Sequence, residues 1–324
     1  MTMNRFALLT AAAAAFWSAG PAQAQTKWPE RTVRIVVAFP AGGAVDAVGR
    51  LLAARLQQQT GQPFIIENKA GAGGNVGADY VAKSAPDGYT MLLSPNGMAI
   101  APAIYKKLNY NADDDFIRAT MLMTTSTMVV ATPKFPAKNL QELIALAKAN
   151  PGKYNYGSTG VGNSLHLTME LLLRRAGIQV QMVPFRGDAP MWQALTRGDV
   201  ELGITPSSAA RAQVEGGAVR AIGISTPERS PGMPNVPTIA EQGMPGFDSR
   251  GWMGFFLPKG TPKAIVDKLA DESRKAVQAE DIKARFAQME LSSVGSTPEE
   301  FEKVYRADRI LFEKIIKDAN IPLQ

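Results

Sequence analysis

The stretch Val33-Arg-Ile-Val-Val-Ala-Phe39, followed at once by Pro40-Ala-Gly-Gly43, decides how the rest of the chain is read. A β-branched, almost wholly apolar run of this length suits a strand buried on both faces. The Pro and the Gly pair end it. Val48, Leu51, Leu52 and Leu56 then follow in a helical pattern that stops at Gly61. Pro63–Glu67 predicts a second strand, Gly71–Gly77 a second turn with a short helix carrying Val81, and Tyr89–Leu93 a third strand. Strand, helix, strand in this order implies a parallel sheet with right-handed crossovers.

Beyond a crossing segment at Met121–Thr132 the pattern restarts. Asn139 and Glu142 predict a capped helix start, with Leu140, Leu143, Ile144 and Ala147 on one face. Tyr154–Tyr156 reads as a short strand, Gly157–Gly162 as a turn, and Leu165, Met169, Leu172 and Leu173 as a helix running to Gly177. Further strands are expected at Val180–Phe185, Val200–Thr205 and Ala221–Ser225, and the Pro-rich Thr226–Pro237 reads as a linker between domains. Thr261-Pro262 opens one later helix and the box Thr297-Pro-Glu-Glu300 another, whose apolar stripe runs from Phe301 to Ile316. Strand, small-residue turn and helix thus occur at Phe39–Gly43 and again at Gly157–Gly162. In open α/β sheets ligands bind beyond the carboxyl ends of strands, so two such turns facing each other would form a clamp.

Composition narrows the chemistry. The 324 residues carry a net charge of +6, one His and no Cys. Disulfides, thiolate nucleophiles, Fe–S clusters and thiolate zinc sites are therefore excluded, and a His-rich metal site with them. Arg5, the apolar Phe6–Trp17 and Ala22-Gln-Ala24 have the order of a secretory signal peptide, so residues 1–24 are expected to be removed on export to the periplasm. Losing Arg5 takes +6 to +5, and without a Lys/Arg run nucleic acid is not an expected partner. Neither a P-loop nor a Gly-x-Ser-x-Gly elbow is present. Gly71-Ala-Gly-Gly-Asn-Val-Gly77 is a loose dinucleotide fingerprint, but it follows the second strand and lacks an acidic ribose ligand.

The glycine turns carry the remaining signal. Gly42-Gly43 and Gly160-Val-Gly162 let the backbone point free N–H groups at a ligand, and a helix start adds unpaired N–H groups and a positive dipole end. Such a site favours an anion, and a carboxylate fits it without a metal or cofactor. Ser158, Thr159, Asn163 and Ser164 offer further donors or caps; His166, in the first helical turn, is either a structural hydrogen-bonding group or aimed at the ligand. Arg186 is either a fork for a carboxylate or a surface partner of Asp188. Asp46 reads as a helix-start residue, and Trp252 as a core strand residue that can also wall an aromatic ligand.

Phe39-Pro-Ala-Gly-Gly-Ala-Val-Asp46, Gly71–Asp79, Ala85-Pro-Asp-Gly-Tyr-Thr90, Tyr154–Gly162 with His166-Leu167, Val183-Pro-Phe-Arg-Gly187, Val236-Pro-Thr238 and Pro258–Pro262 occur here in one order. This set closely resembles the Bug or TctC-like receptors of the tripartite tricarboxylate transporter family, across essentially the whole chain after residue 24. The resemblance implies an α/β, two-lobed periplasmic-binding-protein (type II-like) fold with the ligand cleft between lobes. It implies one lobe from 25–125 plus 247–324 and a second from 126–246. Carried over by position, the ligand loop is Phe39, Pro40, Ala41, Gly42, Gly43 and Asp46. The opposite loop is Ser158, Thr159, Gly160, Gly162, Asn163 and His166, and a third is Ser94-Pro-Asn96-Gly97. Arg186 and Thr205 complete the expected site.

Three departures from the family pattern bear on the ligand. Val45 stands where a Thr or Ser hydroxyl is usual, Phe185-Arg186 where Lys or Tyr-Lys is common, and Thr205-Pro206 where many members carry Asp. Without that acid a substrate amine has no partner, so a dicarboxylate lacking an amino group is expected, with an aromatic one such as terephthalate suggested by Phe39, Phe185 and Trp252. The expected protein is a monomer that closes on its ligand and hands it to the membrane permease of a tripartite transporter. Delivery to a periplasmic sensor kinase uses the same fold, and an NAD(P)-dependent enzyme resting on Gly71–Gly77 is the remaining alternative.

Overall fold

The computed structural model describes residues 27–230 and 232–324; the expected signal peptide, 1–24, lies outside them. Val33–Val37 (β1) pairs in parallel with Phe64–Asn68 (β2) and with Thr90–Pro95 (β3). Three helices follow these strands: Ala44–Thr60 (α1), Asn75–Ala82 (α2) and Gly97–Ile104 (α3). Val33, Ile35 and Val37 meet Val48, Leu52 and Leu56 of α1 on one face, whereas Val36 and Ala38 meet Ala78, Val81 and Ile100 on the other. That two-faced burial is why β1 has so few polar positions.

The chain then crosses. Phe116–Thr125 (β4) belongs to the first sheet and Thr127–Ala131 (β5) to a second, with Ser126 alone between them. The second sheet continues through Leu140–Ala149 (α4), Asn155–Ser158 (β6), Ser164–Ala176 (α5), Gln181–Pro184 (β7) and Asp188–Arg197 (α6). Leu202–Pro206 (β8), Ser207–Glu215 (α7) and Arg220–Ile224 (β9) complete it. Gly251–Pro258 (β10) returns to the first sheet, followed by Lys263–Gln278 (α8), Glu280–Gln288 (α9), Leu291–Ser293 (β11) and Pro298–Asp318 (α10).

The strand orders are β11-β4-β10-β3-β1-β2 and β7-β6-β8-β5-β9. Neither sheet is purely parallel: β10 runs antiparallel to β3 and β4, and β5 antiparallel to β8 and β9. The crossing explains this, since a strand that enters a sheet from the opposite lobe arrives pointing the other way. Both predicted helix caps form. Asn139 Oδ1 accepts the Glu142 N–H, and Thr297 and Glu300 make a reciprocal capping box.

One expectation needs correcting. Thr226–Pro237 does not link the lobes; Met233 and Val236 are buried against the second sheet, and Thr238 bridges to Ile224. Its prolines fit a segment that covers a sheet edge without supplying ladder donors. Phe247 is also buried in the second lobe's core, and the return crossing runs through Ser249 and Arg250 into β10.

Candidate functional site

The loop after β1 is fixed by a helix side chain reaching backwards. Gly42 has φ of +82°, which an L side chain adopts only with strain, and its N–H donates to Asp46 Oδ2 at 2.9 Å. The buried Asp46 carboxylate is saturated. Arg50 donates through Nε at 2.9 Å and Nη2 at 3.1 Å, and Asn68 Nδ2 at 2.9 Å. The Arg50 hydrogen bonds and the Gly42 N–H hold its pKa down to about 2. Asp46 therefore shapes the loop, and every acceptor it offers is spent inside it. Pro40, Ala41, Gly42 and Gly43 are exposed beyond the C-terminal end of β1, beside the half-buried Phe39.

The loop after β6 repeats the device. Gly162, with φ of +76°, donates its N–H to His166 Nδ1 at 2.9 Å, and Asn163 caps α5 by accepting the His166 N–H. His166 thus serves as a neutral acceptor, and burial lowers its pKa. Its Nε2 lies 3.8 Å from Glu170 Oε1. Burial raises the Glu170 pKa, and the Tyr156 hydroxyl donates to the same oxygen. Thr159, Gly160, Asn163 and Ser164 stay partly exposed along the loop.

These loops lie at the facing ends of the two sheets. Because β1 and β3 are neighbours, Phe39–Gly43 stands beside the third predicted loop, where Ser94 and Asn96 are buried and Gly97 opens α3. Asn96 and Asn163 meet in one interlobe cavity of about 210 Å3, floored by Thr125, Thr127, Thr168 and Trp252. Ile104 of α3 packs against Gly162, so the second loop also touches the first lobe directly. Phe39–Gly43 and Arg186 do not line this cavity.

Three hydroxyls at the C-terminal ends of β6 and β8 have no partner among the described residues. Ser158 Oγ, Thr205 Oγ1 and Ser207 Oγ are fully buried yet make no hydrogen bond to a described residue. Buried polar groups are rarely left so. Arg186 follows β7, exposed, without a hydrogen bond or ion pair to any described residue, Asp188 included. Trp252 is a core residue. It is 1 % exposed, edge-on to Phe301 at 5.0 Å, and its Nε1 donates to Asp308 at 2.7 Å.

Sequence reasoning missed the cavity floor, since Thr125, Thr127 and Thr168 lie in runs that read only as crossing strand and helix. The Gly71–Gly77 turn has a packing cause. A β-carbon on Gly77 would stand 2.9 Å from the Ala38 α-carbon, so the glycine lets α2 lie close on β1.

Comparison with known proteins places this geometry. Residues 48–321 match the family model of the tripartite tricarboxylate transporter family receptor, TctC. BugT of Bordetella pertussis is 35 % identical over 284 residues, 87 % of each chain. The structure of Rpa4515 of R. palustris with adipate superposes with a TM-score of 0.77 at 32 % identity, covering 92 % of this chain and all of that one. MatC of Rhodopseudomonas palustris with bound malate gives 0.72 at 33 % identity, covering 89 % and 100 %. Among the described residues no helix is long and apolar enough to cross a membrane. The similar proteins are solute receptors and not enzymes. The chain belongs to the Bug, or TctC-like, receptors of the tripartite tricarboxylate transporter family.

Proposed function

We propose that this receptor captures a small dicarboxylate without an amino group between its two glycine loops, closes over it in the periplasm, and presents it to the membrane permease of a tripartite transporter. The observation that carries this reading is the group of unpartnered buried hydroxyls at Ser158, Thr205 and Ser207, beside the turn that opens α5. A carboxylate supplies the acceptors those donors lack. The second loop and the free Arg186 guanidinium favour the same charge. Thr205 in place of an acid leaves an amine without a partner. The adipate and malate seen in the two related structures are of the same class. Phe39 and Phe185, both half-buried, give the site apolar flanks suited to an aromatic diacid such as terephthalate.

A Kd near 1 μM requires about 8 kcal/mol, which a few charge-assisted hydrogen bonds of roughly 1.5–3 kcal/mol each supply after the cost of closure. Calorimetry against amino acids, citrate, aliphatic diacids and phthalates tests the reading. A diacid is expected to bind tightest, and Arg186→Ala to weaken it at least tenfold. Tightest binding of an amino acid would overturn the ligand class.

A further inference from the structure

Glu290 lies in the turn between α9 and β11 of the first lobe, with φ of +56°, a conformation that favours glycine. Its side chain is 2 % exposed, yet the groups that satisfy its carboxylate all belong to the second lobe. Arg211 of α7 donates from Nη1 to Oε1 at 2.9 Å, and the Ser230 hydroxyl donates to Oε2. Gly232, also from the second lobe, packs so closely on the carboxylate that a β-carbon has no room there. A buried carboxylate is costly unless it is paired and hydrogen-bonded, so pulling the lobes apart here would strand this one.

The strand orders show on which side of the hinge this socket lies. In the first sheet β4 separates β11 from β10, β3 and β1; in the second, β5 separates β9 from β8 and β6. The ligand loops follow β1, β3 and β6. Glu290 precedes β11 and Ser230 follows β9, so these two residues stand across the continuous crossing strand β4–β5 from the ligand loops, and Arg211 reaches them from α7, the helix after β8.

We propose that Glu290 in its socket of Arg211, Ser230 and Gly232 is an interlobe latch that opposes closure, so that drawing the lobes together over a ligand withdraws the carboxylate from the socket. The proposal rests on the receptor reading above. The latch sets the population of the closed form in the absence of ligand, and through it the apparent affinity.

The chain has no Cys, so single cysteines at the exposed Val76 and Asp188, one on each lobe, accept spin labels without side reaction. In the ligand-free protein, Glu290→Gln and Arg211→Gln are each expected to shift the interlobe distance distribution towards shorter separations. Arg211 keeps Glu215 at 3.0 Å in the first variant, and being half-exposed it leaves the fold intact when replaced in the second. Calorimetry with malate, adipate and terephthalate is then expected to show at least threefold tighter binding of whichever acid the parent binds. Unchanged distances in both variants would overturn the latch whatever the ligand, whereas failure of all three acids to bind the parent would overturn only the ligand class. Shorter distances with unchanged or weaker affinity would overturn the claimed opposition to closure.

Discussion

In the loop after β1, a left-handed glycine gives its N–H to a side chain four residues on, in the first turn of a helix; in the loop after β6 another glycine does the same. The acceptors differ. Asp46 is an anion gripped by Arg50 and Asn68, whereas His166 is a neutral imidazole backed by Glu170. The capping differs too. Gly43 offers α1 no side-chain cap, while Asn163 caps α5. One backbone shape can therefore be fastened by charge or without it. The charged fastening places a carboxylate beneath a loop proposed to take carboxylates, and the Arg50 guanidinium offsets the repulsion. The neutral fastening avoids that repulsion but holds only while Nδ1 stays unprotonated.

The largest effect is expected where the charged pin is removed. Asp46→Ala leaves the Gly42 N–H and the Asn68 amide without their acceptor and frees Arg50 beneath the loop. Losing a buried, multiply bonded carboxylate costs about 2–4 kcal/mol of stability. Carboxylate affinity is expected to fall at least thirtyfold, because the loop loses its shape. Thermal melts and calorimetry on the same preparation check this. Wild-type affinity in a folded Asp46→Ala protein would show that the first loop needs no pin.

How much of this was legible in the sequence follows from the range of the interactions. The strand–turn–helix units at Phe39–Gly43 and Gly157–Gly162 were readable because strand, glycine and helix signals are local. The i to i+4 pins are half readable: the sequence marks Asp46 as a helix-start residue and His166 as structural or ligand-facing, but not that each accepts from a glycine. The interlobe cavity was not readable, since Asn96, Thr125 and Asn163 meet only after the chain has crossed between sheets. Glu290 and Arg211 are separated by 79 residues, and nothing local marks either one. Thr226–Pro237 was misread because prolines signal loops equally well whether the loop joins lobes or packs on one.

A smaller effect compares the two glycines directly. Gly42 and Gly162 both have φ near +80°, so alanine at either position costs about 1 kcal/mol or more in backbone strain. Their surroundings differ: a β-carbon on Gly42 meets nothing within 4 Å, whereas on Gly162 it would press on the Ile104 side chain at 2.7 Å. Gly162→Ala is therefore expected to destabilise by about 1 kcal/mol more than Gly42→Ala, since it adds crowding to strain. It should also weaken ligand binding more, because Ile104 belongs to the opposite lobe. Equal losses in denaturant titrations would mean that Ile104 gives way and that the second loop is no more tightly seated than the first.

The smallest effect separates the two pins by pH. Asp46 has a depressed pKa, so its contribution is complete above the unfolded value near 3.8 and is lost only as pH falls towards about 2. His166 is lowered from 6.5 by burial, so the folded state prefers it neutral; its contribution is complete above about 6.5 and shrinks as pH falls below that. Protonated Nδ1 turns from acceptor to donor and faces the Gly162 N–H. Glu170 near Nε2, with Arg174 beside it, tempers the change. Asp308 pulls the other way at the acid end: burial raises its pKa from 3.8 to about 6, so its ionisation costs stability as pH rises between those values, and the loss is complete above about 6. The raw melting curve between pH 7.5 and 5.5 therefore mixes opposite trends. His166→Asn isolates one of them, since its Oδ1 takes the place of Nδ1 and accepts from Gly162 at every pH. The wild type is expected to lose about 1 °C more than this variant over that range, a shift matching somewhat under 1 kcal/mol. Parallel curves would mean that His166 stays neutral throughout, and that the second loop is fastened as firmly in acid as the first.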